Sequence, residues 1–122
     1  VERLQKVGFD VSLFIDADEQ QILAAKRVGA TTIELHTGHY SDAQTPAEQA
    51  EQLQLIRKAT GIALKQGLVV NAGHGLNYHN VEPIAAIAGI NELNIGHAIV
   101  AQSIFDGWEK AVRDMKALLR VK

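Results

Sequence analysis

A histidine flanked by glycines, Gly73-His74-Gly75, follows the strand-forming run Leu68-Val69-Val70. Glycines let a ligand approach the main chain closely and allow backbone conformations that other residues avoid. The histidine adds the one side chain whose ordinary pKa lets it trade a proton near neutral pH. Together they suit general acid or base work on a bound molecule, and His74 is the leading candidate for it. A second Gly-His step, Gly96-His97, closes another strand-like run 23 positions after His74. It opens a short helix, and helix N-termini present unpaired N–H groups with a partial positive charge. That chemistry fits a phosphate. Gly75 offers a further open backbone N–H and His97 a hydrogen bond, although a plain capping role for His97 stays open.

The run TTIELH, Thr31 to His36, supplies a carboxylate. Strand alternation puts Thr32, Glu34 and His36 on one face. Facing an apolar interior, Glu34 must be paired, hydrogen-bonded or protonated, because burying a bare charge is costly. It is either a working carboxylate or, with Asn71 and Asn94, part of a satisfied polar layer. His36 and His39 form H-x-x-H, yet no third ligand lies nearby and zinc is normally held by three or four. No metal site is expected. His39 and His79 read as surface or loop residues.

These residues need a scaffold that gathers strand ends. Val1 to Gly8 reads as the closing turns of a helix with its glycine stop, so the chain is expected to be a piece of a longer one. Val11 to Asp16 is a mostly apolar strand, expected to be covered on both faces as parallel strands are. Asp16 and Asp18 are N-cap candidates for a helix over Glu19–Val28. Thr37 to Gln44 reads as a polar loop. Thr45-Pro46-Ala47-Glu48 is a capping box with proline at the first helical position, starting a helix to about Lys65 that packs Ala50, Leu53, Ile56, Ala59 and Ala63. Strands follow over Leu68–Ala72 and Glu92–Ile95, with a short helix over Val81–Ile87 between them. After the short helix from Gly96, a last helix carries the stripe Trp108, Ala111, Val112, Met115, Leu118 and Leu119, expected to pack on the core.

Four times the order is helix, glycine, strand, polar strand end, which means parallel βαβ units. An open doubly wound sheet or part of a (β/α)8 TIM barrel both suit this pattern. The barrel is favoured, because a glycine-rich turn followed by a short extra helix is typical of the phosphate site after strands 7 and 8. A complete barrel takes roughly 200 residues or more, so 122 residues form about its second half. Residues 1–122 are then the C-terminal half of a single domain.

Composition narrows the partners. A net charge of −2 and a pI near 6.2 give no basic field for nucleic acid or anionic membrane. No stretch approaches 18 apolar residues, so no membrane helix is expected. With no cysteine there are no disulfides or thiolate metal sites, which fits a reducing compartment such as the cytoplasm.

Four segments are specific enough to carry a resemblance: VSLFIDAD (Val11–Asp18), IELHTGHY (Ile33–Tyr40), VNAGHGLNYHNV (Val70–Val81) and ELNIGHAIV (Glu92–Val100). In order and spacing they resemble pyridoxine 5′-phosphate synthase of the deoxyxylulose-dependent vitamin B6 pathway, over strands 5 to 8 of its barrel. The resemblance implies condensation of 1-deoxy-D-xylulose 5-phosphate with 3-amino-2-oxopropyl phosphate to pyridoxine 5′-phosphate, phosphate and water, without a redox cofactor. It implies His74 as proton donor and Glu34 as the carboxylate that stabilises the transition state. Gly75, Gly96 and His97 would hold the aminoketone phosphate. It also implies a cytoplasmic enzyme that forms homo-octamers.

The family's remaining catalytic groups, a histidine, a glutamate and the arginines for deoxyxylulose phosphate, lie on strands 1 to 4. None of those motifs occurs here, so the chain alone is expected to be inactive and to expose two sheet edges and an apolar barrel interior. Two other readings stand beside this one. One is a different phosphate-handling barrel enzyme, an isomerase or epimerase using Glu34 and His74 as an acid/base pair. The other is a non-catalytic half barrel that binds phosphate only.

Overall fold

The computed structural model describes residues 1–120. Its elements begin with α1 (Glu2–Gln5), β1 (Ser12–Ile15), α2 (Glu19–Arg27), β2 (Thr32–His36), α3 (Gly38–Asp42) and α4 (Pro46–Lys65). They continue with β3 (Val69–Gly73), α5 (Val81–Ala85), β4 (Ile90–Asn94), α6 (His97–Asp106) and α7 (Trp108–Leu118).

Local chemistry sets the helix starts. Asp18, not Asp16, caps α2, its carboxylate accepting from the Gln21 N–H at 3.0 Å. Asp16 instead clamps the Gln21 side chain through two hydrogen bonds. The capping box of α4 forms in full: Thr45 Oγ1 accepts from the Glu48 N–H, and the Glu48 carboxylate accepts from the Thr45 and Gln44 N–H groups. Gly29 and Gly67 follow α2 and α4 with φ of +83° and +72°, the left-handed conformation that ends a helix at little cost only for glycine.

The four strands form one parallel sheet in the order β1-β2-β3-β4. Parallel neighbours in register point their side chains the same way. One face therefore carries Leu13, Ile15, Ile33, Leu35, Val70 and Ala72. It packs against Ile22 and Ala25 of α2, Ile56, Ala59 and Ala63 of α4, Ile84 of α5 and Met115 of α7, the single core. This is an α/β fold with a parallel four-stranded sheet and helices against it.

The opposite face presents Ser12, Phe14, Thr32, Glu34, His36, Val69, Asn71, Glu92 and Asn94. No helix covers it among the described residues, and Phe14 is 54% exposed. The expectation that β1 is covered on both faces is therefore not met. As an edge strand it buries only the Leu13–Ile15 side against helices. The open face is also mostly polar, not the apolar surface expected of a half barrel, with Phe14 and Val69 its large exposed apolar side chains.

Three local expectations change as well. The segment Thr37–Gln44 holds the short helix α3, because the buried Tyr40 ties it down although five residues are too few to show a helical period. Ala50 is exposed, so the packed face of α4 begins at Leu53. In α7, Ala111 and Met115 are buried, whereas Trp108 and Val112 lie at the solvent edge of the stripe. No element among the described residues covers them.

Candidate active site

Three strand ends and one helix start meet at the carboxyl edge of the sheet. β2 brings Glu34 and His36, β3 runs out into His74 and Gly75, and β4 leads through Asn94 to Gly96 and His97 at the start of α6. They enclose a cleft of about 520 Å³ lined by Phe14, Glu34, His74, Gly75, Gly96 and His97, with Asn77 and Asn94 at its sides. All five residues singled out from the sequence thus share one cleft. Asp16, His36 and Asn71, also at or near strand ends, do not line it.

Glu34 reaches across β3 because β3 ends in glycine. Its Oε1 rests over the Cα of Gly73, where any added methyl group would collide with it. Its Oε2 accepts a hydrogen bond from Asn94 Nδ2 at 2.8 Å. Asn71 is not part of this pair and instead accepts from Asn91 Nδ2 at 3.3 Å. The polar layer weighed from the sequence is thus split into two separate contacts. Glu34, half-buried, stays at the mouth of the cleft.

His74 has φ of +85°, the one positive value at a non-glycine residue among those described. A side chain in this region costs about 1–3 kcal/mol and persists only where its surroundings over-determine it. Those surroundings are specific. The His74 carbonyl accepts from Thr37 Oγ1 at 2.6 Å, with Ser41 Oγ at 3.4 Å. The Gly73 carbonyl accepts from the Thr37 N–H at 2.8 Å and is 2.7 Å from its hydroxyl.

One turn further on, Asn80 Nδ2 donates to the Gly75 carbonyl and to Ser41 Oγ, while its Oδ1 accepts from the Asn77 N–H. Tyr40 donates its hydroxyl to the Asn80 carbonyl at 2.7 Å. Gly75 packs so tightly on Ser41 that a Cβ would come within 2.6 Å of the Ser41 Cβ. Its N–H takes no partner among the described residues.

The His74 ring stacks on His36, centroids 4.6 Å apart and planes 23° from parallel. Phe14 backs both rings, 4.9 Å from His36 and 6.4 Å from His74. His36 Nδ1 accepts from the Gly38 N–H at 3.2 Å, so a neutral His36 carries its proton on Nε2. His39, exposed on α3, lies 5.9 Å from His36 by ring centroid, and His79 is exposed in the loop after Gly75. No group of three His, Cys, Asp or Glu side chains is arranged to hold a metal ion among the described residues.

Across the cleft, Gly96 is the N-cap of α6 and no side chain caps the helix. The capping role left open for His97 is therefore not used; it is the first residue of the helix proper. The first-turn N–H groups and the helix dipole face the cleft unmasked, which favours an anion there.

Phe14, Thr37, Tyr40 and Asn80 were not identified from the sequence as contributors to this site. Each belongs to a recognisable segment, but each acts through a partner remote in sequence. Burial raises the Tyr40 pKa above its usual value of 10.0. A raised folded-state pKa leaves stability intact below about pH 10 and removes it as pH climbs further, because the unfolded chain then holds fewer protons. Tyr40→Phe is expected to cost about 1–3 kcal/mol in urea unfolding at pH 7, since it strands the Asn80 carbonyl, and to flatten the alkaline decline.

No helix among the described residues is long and apolar enough to cross a membrane. The family model described as pyridoxal phosphate biosynthesis protein PdxJ matches residues 1–121. A match over nearly all of the 122 residues shows that the chain belongs to the PdxJ family, biosynthetic enzymes of the vitamin B6 pathway, consistent with pyridoxine 5′-phosphate synthase.

Proposed function

We propose that the chain is the C-terminal half, strands 5 to 8, of a (β/α)8 pyridoxine 5′-phosphate synthase. The observation that carries this reading is the single cleft holding an imidazole, a carboxylate and an uncapped helix N-terminus. The open polar sheet face and the free edges of β1 and β4 support it, being the surfaces that a further set of strands would cover.

In this reading the aminoketone phosphate docks its phosphate on the α6 start, with Gly96, His97 and the free Gly75 N–H as donors. Its amine then condenses with the ketone of 1-deoxy-D-xylulose 5-phosphate and water leaves. His74 donates protons to departing oxygens, and Glu34 stabilises the cationic imine as it forms. Ring closure, loss of inorganic phosphate and dehydration give pyridoxine 5′-phosphate. The partners are phosphorylated small molecules in the cytoplasm and further copies of the enzyme, an octamer in this family. The strands that carry the other catalytic groups complete the site.

The test supplies both substrates to this chain, alone and mixed with a polypeptide carrying strands 1 to 4 of a full-length relative. Pyridoxine 5′-phosphate and free phosphate are expected from the mixture and not from the chain alone. Phosphate binding without turnover in either arm would favour a fragment that only binds. Turnover of a single sugar phosphate would favour an isomerase or epimerase.

A further inference from the structure

We propose that Thr37 is a positioning residue for His74, holding the left-handed strand end and so aiming the imidazole into the cleft. Along an extended strand, successive carbonyl groups point to opposite edges and meet different neighbours. Here the Gly73 and His74 carbonyls converge on one hydroxyl, 2.7 and 2.6 Å from Thr37 Oγ1. That convergence is the geometric consequence of φ +85° at His74.

Thr37 is fully buried, and its one hydroxyl proton is shared between those two acceptors. If the hydroxyl is removed, the Gly73 carbonyl keeps the Thr37 N–H. The His74 carbonyl keeps only Ser41 Oγ at 3.4 Å, too long to hold a strained peptide. The peptide then relaxes toward negative φ, the Cα–Cβ bond swings, and the ring leaves its stack on His36. Thr37 touches no cleft volume itself. Its effect on chemistry runs entirely through His74.

Only the kinetic arm of the test rests on the synthase reading. Thr37→Val and Thr37→Ser are made in the full-length enzyme with isotope-labelled histidine. In Thr37→Val the His74 amide–Hα coupling and the ring resonances of His74 and His36 are expected to shift, with His79 unmoved. With both substrates, kcat is expected to fall about 10- to 100-fold while KM for the aminoketone phosphate changes less than about threefold.

Thr37→Ser keeps the hydroxyl and is expected to stay within about threefold of wild type in both. A Thr37→Val protein whose His74 coupling and ring shifts equal those of wild type overturns the proposal. Should Val at 37 prevent folding, the serine variant decides: wild-type His74 signals support the proposal and displaced ones overturn it. If the wild-type enzyme makes no pyridoxine 5′-phosphate, the functional reading falls, and the spectra still judge Thr37.

Discussion

A glycine at position 74 is expected to make the protein more stable and the enzyme nearly inactive. His74 sits at φ +85°, where a β-carbon is strained and glycine is not. Relief of that strain is worth about 1 kcal/mol after the extra chain entropy of glycine is set against it, readable as a higher urea midpoint. The imidazole is lost with it. If His74 is the proton donor, kcat falls about 10²- to 10⁴-fold in the proposed full-length synthase. Affinity for the aminoketone phosphate should hold within a few-fold if, as proposed, its phosphate docks on the α6 start across the cleft.

His74→Ala separates the two effects. Alanine keeps a Cβ in the strained conformation, so it should lose the same activity without the gain in stability. A His74→Gly protein that is more stable and fully active would remove the residue from the mechanism and leave its backbone unexplained. Strain kept at a residue whose replacement would relieve it is what a functional site tolerates and a structural one does not.

How much of this was legible depended on sequence distance. The capping box at Thr45–Glu48 and the glycine after α2 are set by neighbours within four residues, and the sequence reading placed both. Gly73-His74-Gly75 and Gly96-His97 were legible because glycine next to histidine at a strand end is unusual on its own. The network that holds His74 was not. Thr37 and the carbonyls it bonds are 36 and 37 positions apart, and Tyr40 and Asn80 are 40 apart. Pattern within an element says nothing about such pairs.

Burial failed at the edges for a related reason. Val11–Asp16 and the α7 stripe are apolar enough to be core, but burial depends on what stands opposite. Among the described residues no helix covers Phe14, which has only the His36 and His74 rings beside it, and Trp108 is 60% exposed. If the proposed full barrel forms, the strands 1 to 4 half would supply that cover. Apolar character alone did not decide burial at Phe14 and Trp108, because cover comes from elements that a local pattern does not contain.

Glu34→Gln is expected to lower kcat about 10²- to 10³-fold while leaving stability nearly unchanged, the range seen when one group stabilising transition-state charge is removed. Glutamine has the same reach and can still accept from Asn94 Nδ2, so only the charge goes. Gly73→Ala attacks the same carboxylate by position. The new methyl would strike Glu34 Oε1 and come within 2.9 Å of the Asn94 carbonyl oxygen and 3.1 Å of the Asn94 Cβ.

The Glu34 side chain can rotate away, but β4 is held to β3 by the strand ladder and cannot. Overpacking of this kind costs about 1–3 kcal/mol, so Gly73→Ala should lose both stability and turnover. The pair of variants separates charge from shape. Loss of turnover in both means that the carboxylate itself acts on the substrate. Loss in Gly73→Ala alone would mean that Glu34 serves only to hold Asn94 and the β3–β4 edge of the cleft, and the cationic imine of the proposed reaction would then need another anion to stabilise it.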